Sequence, residues 1–146
     1  MAMNARARRA AVIVLAAAIA VPVLAYLRDP PWLITYTAGF GRWHQDPGAR
    51  RFRWMGGHAS FFVPSDARAI ELPVRTTFAV GDWPITVTVS IDDRPADRTT
   101  LSDDQWRSML LRLPPAGSRR VRRIDIRLDR TRDEDHGVMV GEPRVE

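Results

Sequence analysis

The chain has 146 residues, 45% hydrophobic and 27% charged, the make-up of one globular domain with an appendage rather than of a disordered polypeptide. It holds no cysteine, which excludes a disulfide framework, a thiolate metal site, a cysteine nucleophile and a lipidated lipoprotein cysteine. It also holds no lysine: all 22 basic residues are arginine, and the net charge is +5.

That positive charge belongs to the N-terminal segment. Arg6, Arg8, Arg9 and Arg28 flank an apolar run, and the rest of the chain carries 18 arginines against 17 acids. So nearly balanced a body does not favour nucleic acid as a partner, because counterion release needs a concentrated basic surface. One local cluster remains at Arg119, Arg120, Arg122 and Arg123.

Ala10 to Leu27 contains no charged residue over 18 positions. As a helix it would span about 27 Å at 1.5 Å per residue, enough for the hydrocarbon core of a bilayer. The arginines before it predict a cytoplasmic N-terminus. Residues 1–9 are then a basic stub, 10–27 a transmembrane anchor, 28–35 a linker and 36–146 a domain on the far side. That places the chain in the cytoplasmic (inner) membrane, crossing once, with the C-terminal domain periplasmic or extracellular. A signal peptide is the competing reading, since Ala18-Ile19-Ala20 and Val23-Leu24-Ala25 both offer small residues at a cleavage spacing. Both readings export the body. The surroundings of Arg8-Arg9 do not support a twin-arginine signal.

Asp29-Pro30-Pro31 stops the helix, and the pattern then changes to a period of two. Ile85 to Ile91 alternates apolar and hydroxyl residues, which only a strand sorts onto two faces. Ile70, Leu72 and Val74 alternate in the same way, as do Ile124, Ile126 and Leu128 with Val121 leading in. Another run reaches Leu111 and Leu113 from near Trp106. Weaker strand candidates are 33–37, 51–55, 59–63 and 138–140. Turn signals lie between these runs at Asp46-Pro47-Gly48, Gly56-Gly57, Pro64-Ser65-Asp66, Gly81-Asp82, Asp92-Asp93, Pro114 to Gly117 and Asp133 to Asp135. About eight short strands and no helical stripe predict an all-β fold. The expected architecture is an antiparallel β-sandwich, jelly-roll or immunoglobulin-like, behind one N-terminal transmembrane helix.

The sequence discloses no reaction. It has no G-x-S-x-G elbow, phosphate loop or dinucleotide fingerprint. His44, His58 and His136 fall at no metal-ligand spacing, so no metal or cofactor is expected; whether they converge in space is open. The pairs Asp92-Asp93 and Asp103-Asp104 and the run Asp133 to Asp135 fit turns better than acid/base partners, and the last lacks the spaced oxygens of a calcium loop.

Aromatic residues carry more information. Trp43, Phe52, Trp54, Phe61 and Phe62 crowd together with Arg42, Arg50, Arg51 and Arg53 between them. Sugar rings stack their C–H faces on indole, and their hydroxyls bond to guanidinium and carboxylate groups. The tentative glycan-binding set is Trp43, His44, Asp46, Arg51, Arg53 and His136, with Trp43 expected to be exposed. Trp54, Phe61, Phe62 and Trp106 are the alternative core aromatics, and Trp54 and Trp106 are assigned to the core.

Several segments carry a resemblance: Gly39-Phe40-Gly41, Arg53-Trp54-Met55, Ala59 to Pro64, Val87 to Asp92, Leu101 to Trp106, Leu111 to Pro114 and His136 to Pro143. In this order they resemble the small jelly-roll modules of exported bacterial envelope proteins, found beside membrane glycosyltransferases or alone behind one helix. The resemblance spans about residues 36–145. His136 stands where such modules have a leucine, and no catalytic residues carry over. The N-terminal segment, the β pattern and the Trp/Arg-rich region lead to the expectation of a membrane-tethered, non-enzymatic β-sandwich that contacts an envelope polysaccharide or a glycan-handling membrane partner such as a membrane glycosyltransferase. The alternatives are a structural or protein-interaction subunit of a membrane enzyme complex and a small glycoside hydrolase.

Overall fold

A computed structural model describes residues 5–77, 84–115, 117–131 and 136–146, with side chains from residue 7 onward. Trp83, the Gly81-Asp82 turn, Ala116 and the Asp133 to Asp135 run lie outside the described residues.

The chain divides into two units, Met1–Leu33 and Ile34–Glu146. In the first, helix α1 (Ala5–Arg28) ends just before Asp29-Pro30-Pro31, as expected of that tripeptide. It is long and apolar enough to cross a membrane. A short 3-10 turn follows at Pro31–Thr35. The strand expected at residues 33–37 is thus not formed there. Two successive prolines fix φ near −65° and remove two donors from any ladder.

The second unit is antiparallel β structure: β1 (Thr37–Gln45), β2 (Arg51–Pro64), β3 (Ala69–Arg75), β4 (Ile85–Ile91), β5 (Arg94–Leu101), β6 (Arg107–Arg112), β7 (Val121–Leu128), β8 (Val138–Gly141) and β9 (Arg144–Val145). One hydrogen-bonded sheet runs β5-β4-β7-β2-β8-β3-β6, with β1 added to β2 and β9 to β3. It curls over a single core as a jelly-roll-like sandwich, and β5 comes near β6.

Strand β2 makes the curl possible. Residues 58–64 pair with β7 and residues 52–55 pair with β8. Gly56-Gly57, expected as a turn, lies inside this continuous strand at the handover. Inward residues of both layers form one cluster, including Met55, Phe61, Ile70, Leu72, Val74, Val87, Val89, Ile124, Ile126 and Val140. Each such burial contributes about 1.5–3 kcal/mol relative to exposure.

Two hairpins fix the register. Ile91 turns into Arg94 through Asp92 (φ +49°) and Asp93 (φ +66°), the left-handed pair that a two-residue hairpin needs. The Asp92 carboxylate then accepts from Arg122 Nη1 at 2.9 Å and from the Arg123 backbone N–H at 3.0 Å, which ties the turn to β7. Between β1 and β2, Asp46 Oδ1 accepts from the Arg50 N–H at 2.8 Å, and Ala49 takes φ +62°.

Strand β1 carries two register shifts, between Ala38 and Phe40 and between Phe40 and Trp43. The first requires Gly39. Its φ is +73°, and a Cβ there would lie 2.1 Å from the His58 carbonyl oxygen. The second places Phe40 and Trp43, three residues apart, on the same side of the strand, since a bulge adds one residue without reversing the face.

Candidate functional site

Alternation along β1 and β2 distributes the functional side chains. Trp43 lies opposite Arg53, and His44 lies opposite Phe52. Directly paired residues share a face and chain neighbours do not. Trp43 and Arg53 therefore point one way, His44 and Phe52 the other. The six residues singled out from the sequence do not form one surface: His44 and His136 meet on one side, Trp43, Arg51 and Arg53 on the other, and Asp46 stands in the hairpin between.

On the His44 side lies a trough of about 430 Å³. Gly39, Gly41, Gly56 and Gly57 leave its floor bare, and Arg42, His44, Trp54, His58 and His136 stand around it. All three histidines thus reach one depression from β1, from β2 and from the segment before β8. Among the described residues no group of three or more histidines and carboxylates is placed to hold a metal ion.

The aromatic groups brace one another. The His44 ring stacks on Phe52 with centroids 5.5 Å apart. Trp54 meets the edges of Phe52 at 6.1 Å and His136 at 5.4 Å. Phe52 is buried yet lies outside the sandwich core, under this outer layer of rings. Trp54 and Trp106, expected in the core, are only half-buried and belong to this layer. Their positions on β2 and before β6 face away from Met55 and Met109, which occupy the interior. Phe61 is in the core, as the alternative assignment had it, and Phe62 is half-buried.

His58 is held from below. Its Nε2 lies 3.0 Å from Asp125 Oδ1, whose side chain is only 2% exposed on the outer face of β7. Arg123 donates to the same carboxylate through Nε at 2.7 Å and Nη2 at 2.9 Å. Burial alone would raise the Asp125 carboxyl, but the Arg123 fork and the His58 contact outweigh it and hold the group below its ordinary value. The same ion pair raises Arg123. The result is a fixed Arg123–Asp125–His58 chain, with the imidazole as the half-exposed end.

On the opposite side, Trp43 is half-buried rather than open. The guanidiniums of Arg53 and Arg51 lie 4.1 and 4.7 Å from its ring centroid. Arg53 also lies 5.4 Å from the Phe40 ring and donates to Thr37 Oγ1 at 3.0 Å. Burial, and then the neighbouring Arg51 charge, lower Arg53 from the usual arginine value, with Glu142 opposing. These groups stand at a second cleft of about 240 Å³, lined largely by apolar side chains. The cleft and the trough share only Phe40 among their lining residues.

Asp46 has a structural place. It caps the hairpin and accepts from Trp106 Nε1 at 3.3 Å. The Trp106 ring is in turn covered by Arg50, with its guanidinium 4.9 Å from the centroid.

Trp54, His58 and Arg42 are trough residues that the sequence-based set omitted. Their signal was the glycine pairs at 39/41 and 56/57, which border the same trough from β1 and β2.

No protein-family model matches the sequence, and no curated protein matches it. Among solved structures, the chain is similar to a family two carbohydrate esterase from Clostridium thermocellum in complex with cellohexaose. The identity is 9% and the TM-score 0.49, over 76% of this chain and 31% of that one. It is also similar to a family two carbohydrate esterase from Cellvibrio japonicus, at 19% identity and a TM-score of 0.43, over 73% and 29%. A third is a carbohydrate-binding module, CBM36, in complex with calcium and xylotriose, at 10% identity and a TM-score of 0.44, over 73% and 92%. The chain spans less than a third of the length of either esterase.

Proposed function

We propose that this protein is a non-catalytic carbohydrate-binding module, held at a membrane by α1 and presenting its sandwich to a cell-envelope glycan on the far side. The observation that carries the reading is the glycine-floored trough with Trp54 among three histidines and Arg42. A sugar ring offers an apolar C–H face for the indole, as ring-to-ring contacts in proteins do. Its hydroxyls need donors and acceptors, which imidazole and guanidinium groups supply without a full ion pair. Bare glycines allow close approach to the backbone. Rings already packed on one another lose little freedom when a ligand arrives, which favours binding.

Two further observations support the reading. Glycoside hydrolysis uses two carboxylates flanking the bond, and none of the described residues lining the trough carries one. The nearby Asp125 is sealed beneath His58 and Arg123. For the tether, α1 carries Arg8 and Arg9 before its apolar run, with no acid in its first turn, the charge bias of a cytoplasmic N-terminus.

The test is affinity electrophoresis and pull-down of the full chain, in mild detergent, on a panel of envelope polysaccharides. Retention on at least one is expected. Trp54→Ala should weaken it about tenfold, from the roughly 0.5–1.5 kcal/mol of stacking and the lost apolar area. Trp43→Ala should retain it. No retention on any polysaccharide, or binding that survives Trp54→Ala unchanged, would overturn the proposal.

A further inference from the structure

The cleft on the Trp43 side differs in chemistry from the trough. Core side chains Phe61, Val63 and Val140 line it, and Phe40 and Pro143 add apolar wall. At 240 Å³ it is smaller than the roughly 300–1,000 Å³ of sites that hold drug-sized ligands. That size suits one short chain rather than the paired chains of a membrane lipid. A sugar would leave its hydroxyls unpaired against such walls, which is costly.

Positive charge is concentrated beside the cleft. Arg53 lines it, and Arg51 lies on the same Trp43 ring. Glu142 is the acidic group here, 3.8 Å from Arg51. Among the described residues Arg53 has no carboxylate within ion-pair distance, and its bonded partner is the Thr37 hydroxyl. Two guanidiniums against one carboxylate leave a place for one further anion. The Trp43 and Phe40 rings hold Arg53 in position before any ligand arrives, and a guanidinium offers paired donors suited to the oxygens of an acid.

We propose that this cleft binds a single-chain anionic amphiphile, its acyl chain against Phe61, Val63 and Val140 and its carboxylate or phosphate on Arg53 and Arg51. The site is separate from the trough and does not depend on glycan binding there. The acidic group can come from a free medium-chain acid or from a lipid headgroup, and the shared chemistry is one apolar chain ending in an anionic oxygen pair.

The test uses the full chain in nanodiscs of uncharged phosphatidylcholine, titrated with hexanoate, octanoate, decanoate and decanol, with Trp43 indole N–H shifts in 15N spectra as readout. Affinity should rise about fourfold for each added methylene that the cleft can bury. Decanoate should bind at least tenfold tighter than decanol. Arg53→Gln should remove that preference, and its response also corrects for partition of the acid into the disc. Should Arg53→Gln fail to fold, Arg51→Gln, half-exposed and outside the core, should reduce the preference several-fold. Displacement of decanoate by lysophosphatidylglycerol, a single-chain anionic lipid, added to the same discs would assign the lipid source, and undiminished decanoate binding in its presence the free acid. Equal binding of decanoate and decanol, no dependence on chain length, or a full preference retained in both arginine variants would overturn the proposal.

Discussion

Gly39→Ala probes the joint between β1 and β2 that borders the candidate site. At φ +73° an alanine is forced into the left-handed region, at about 1–2 kcal/mol. Its Cβ would also fall 2.1 Å from the His58 carbonyl oxygen and 2.8 Å from Ala59 Cα. Both are backbone atoms of β2, and neither can rotate away. Relief requires β1 to shift off β2, a strain comparable to overpacking a core, about 1–3 kcal/mol. The expected cost is about 2–5 kcal/mol, a large fraction of the roughly 5–15 kcal/mol that stabilises a domain. Urea unfolding of the full chain in detergent micelles, followed by tryptophan fluorescence, should show the midpoint falling by about 1 M or more, given slopes of about 1–3 kcal/mol/M. Gly117→Ala is the control, because among the described residues nothing lies within 4 Å of its added methyl. The reasoning is refuted if Gly39→Ala is as mild as Gly117→Ala.

Two other substitutions test neighbouring joints. Asp93→Gly replaces a left-handed aspartate (φ +66°) with the residue that a two-residue hairpin prefers at its second position. A gain of about 0.5–1 kcal/mol is expected, seen as a higher thermal midpoint; a lower midpoint would mean that the 3.6 Å Asp93–Arg123 contact outweighs the backbone term. Asp125→Asn tests the Arg123–Asp125–His58 chain, buried at its central carboxylate, through pH. The folded-state value of Asp125 lies below its ordinary one, so its contribution is full above about pH 4, near the unfolded aspartate value, and fades as pH falls through the lower folded value. The native chain should therefore lose more stability than Asp125→Asn between pH 5 and pH 2. Parallel urea midpoints for the two over that range would contradict the assignment.

The elements legible in the sequence were those whose two faces differ most. Strands β3 and β4 alternate buried and less buried residues along most of their length, and hydropathy records that alternation directly; β7 alternates in residue type although Asp125 on its other face is buried as well. Strand β1 was hidden because the left-handed Gly39 and the extra residue between Phe40 and Trp43 interrupt the period. Strand β5 was hidden because nearly all of it is exposed, and it carries Pro95 next to a register shift against β4, tolerable only at an edge. Gly56-Gly57 looked like a turn, since two glycines break a strand in most settings; here they lie where β2 exchanges β7 for β8.

The candidate side chains were chosen by type, and the structure divides them between two faces of the sandwich. Trp43 and His44 are adjacent in the chain, and adjacency along a strand means opposite faces. Convergence of His44, His58 and His136 depends on the β1 register shifts and on the β2–β8 pairing, neither of which has a local signature. Trp54 was assigned to the core because large aromatics are commonly buried. The outer face of this sandwich carries its own packed ring cluster, which makes that rule fail for both Trp54 and Trp106.

The most direct measurement of the central claim follows the indole N–H signals of the 15N-labelled full chain as oligosaccharides from a retained envelope polysaccharide are added. If the trough holds the sugar, the Trp54 signal shifts with saturation, together with the imidazole signals of His44, His58 and His136, while Trp43 and Trp106 stay in place. A saturable shift at Trp43 with Trp54 unmoved would contradict the account.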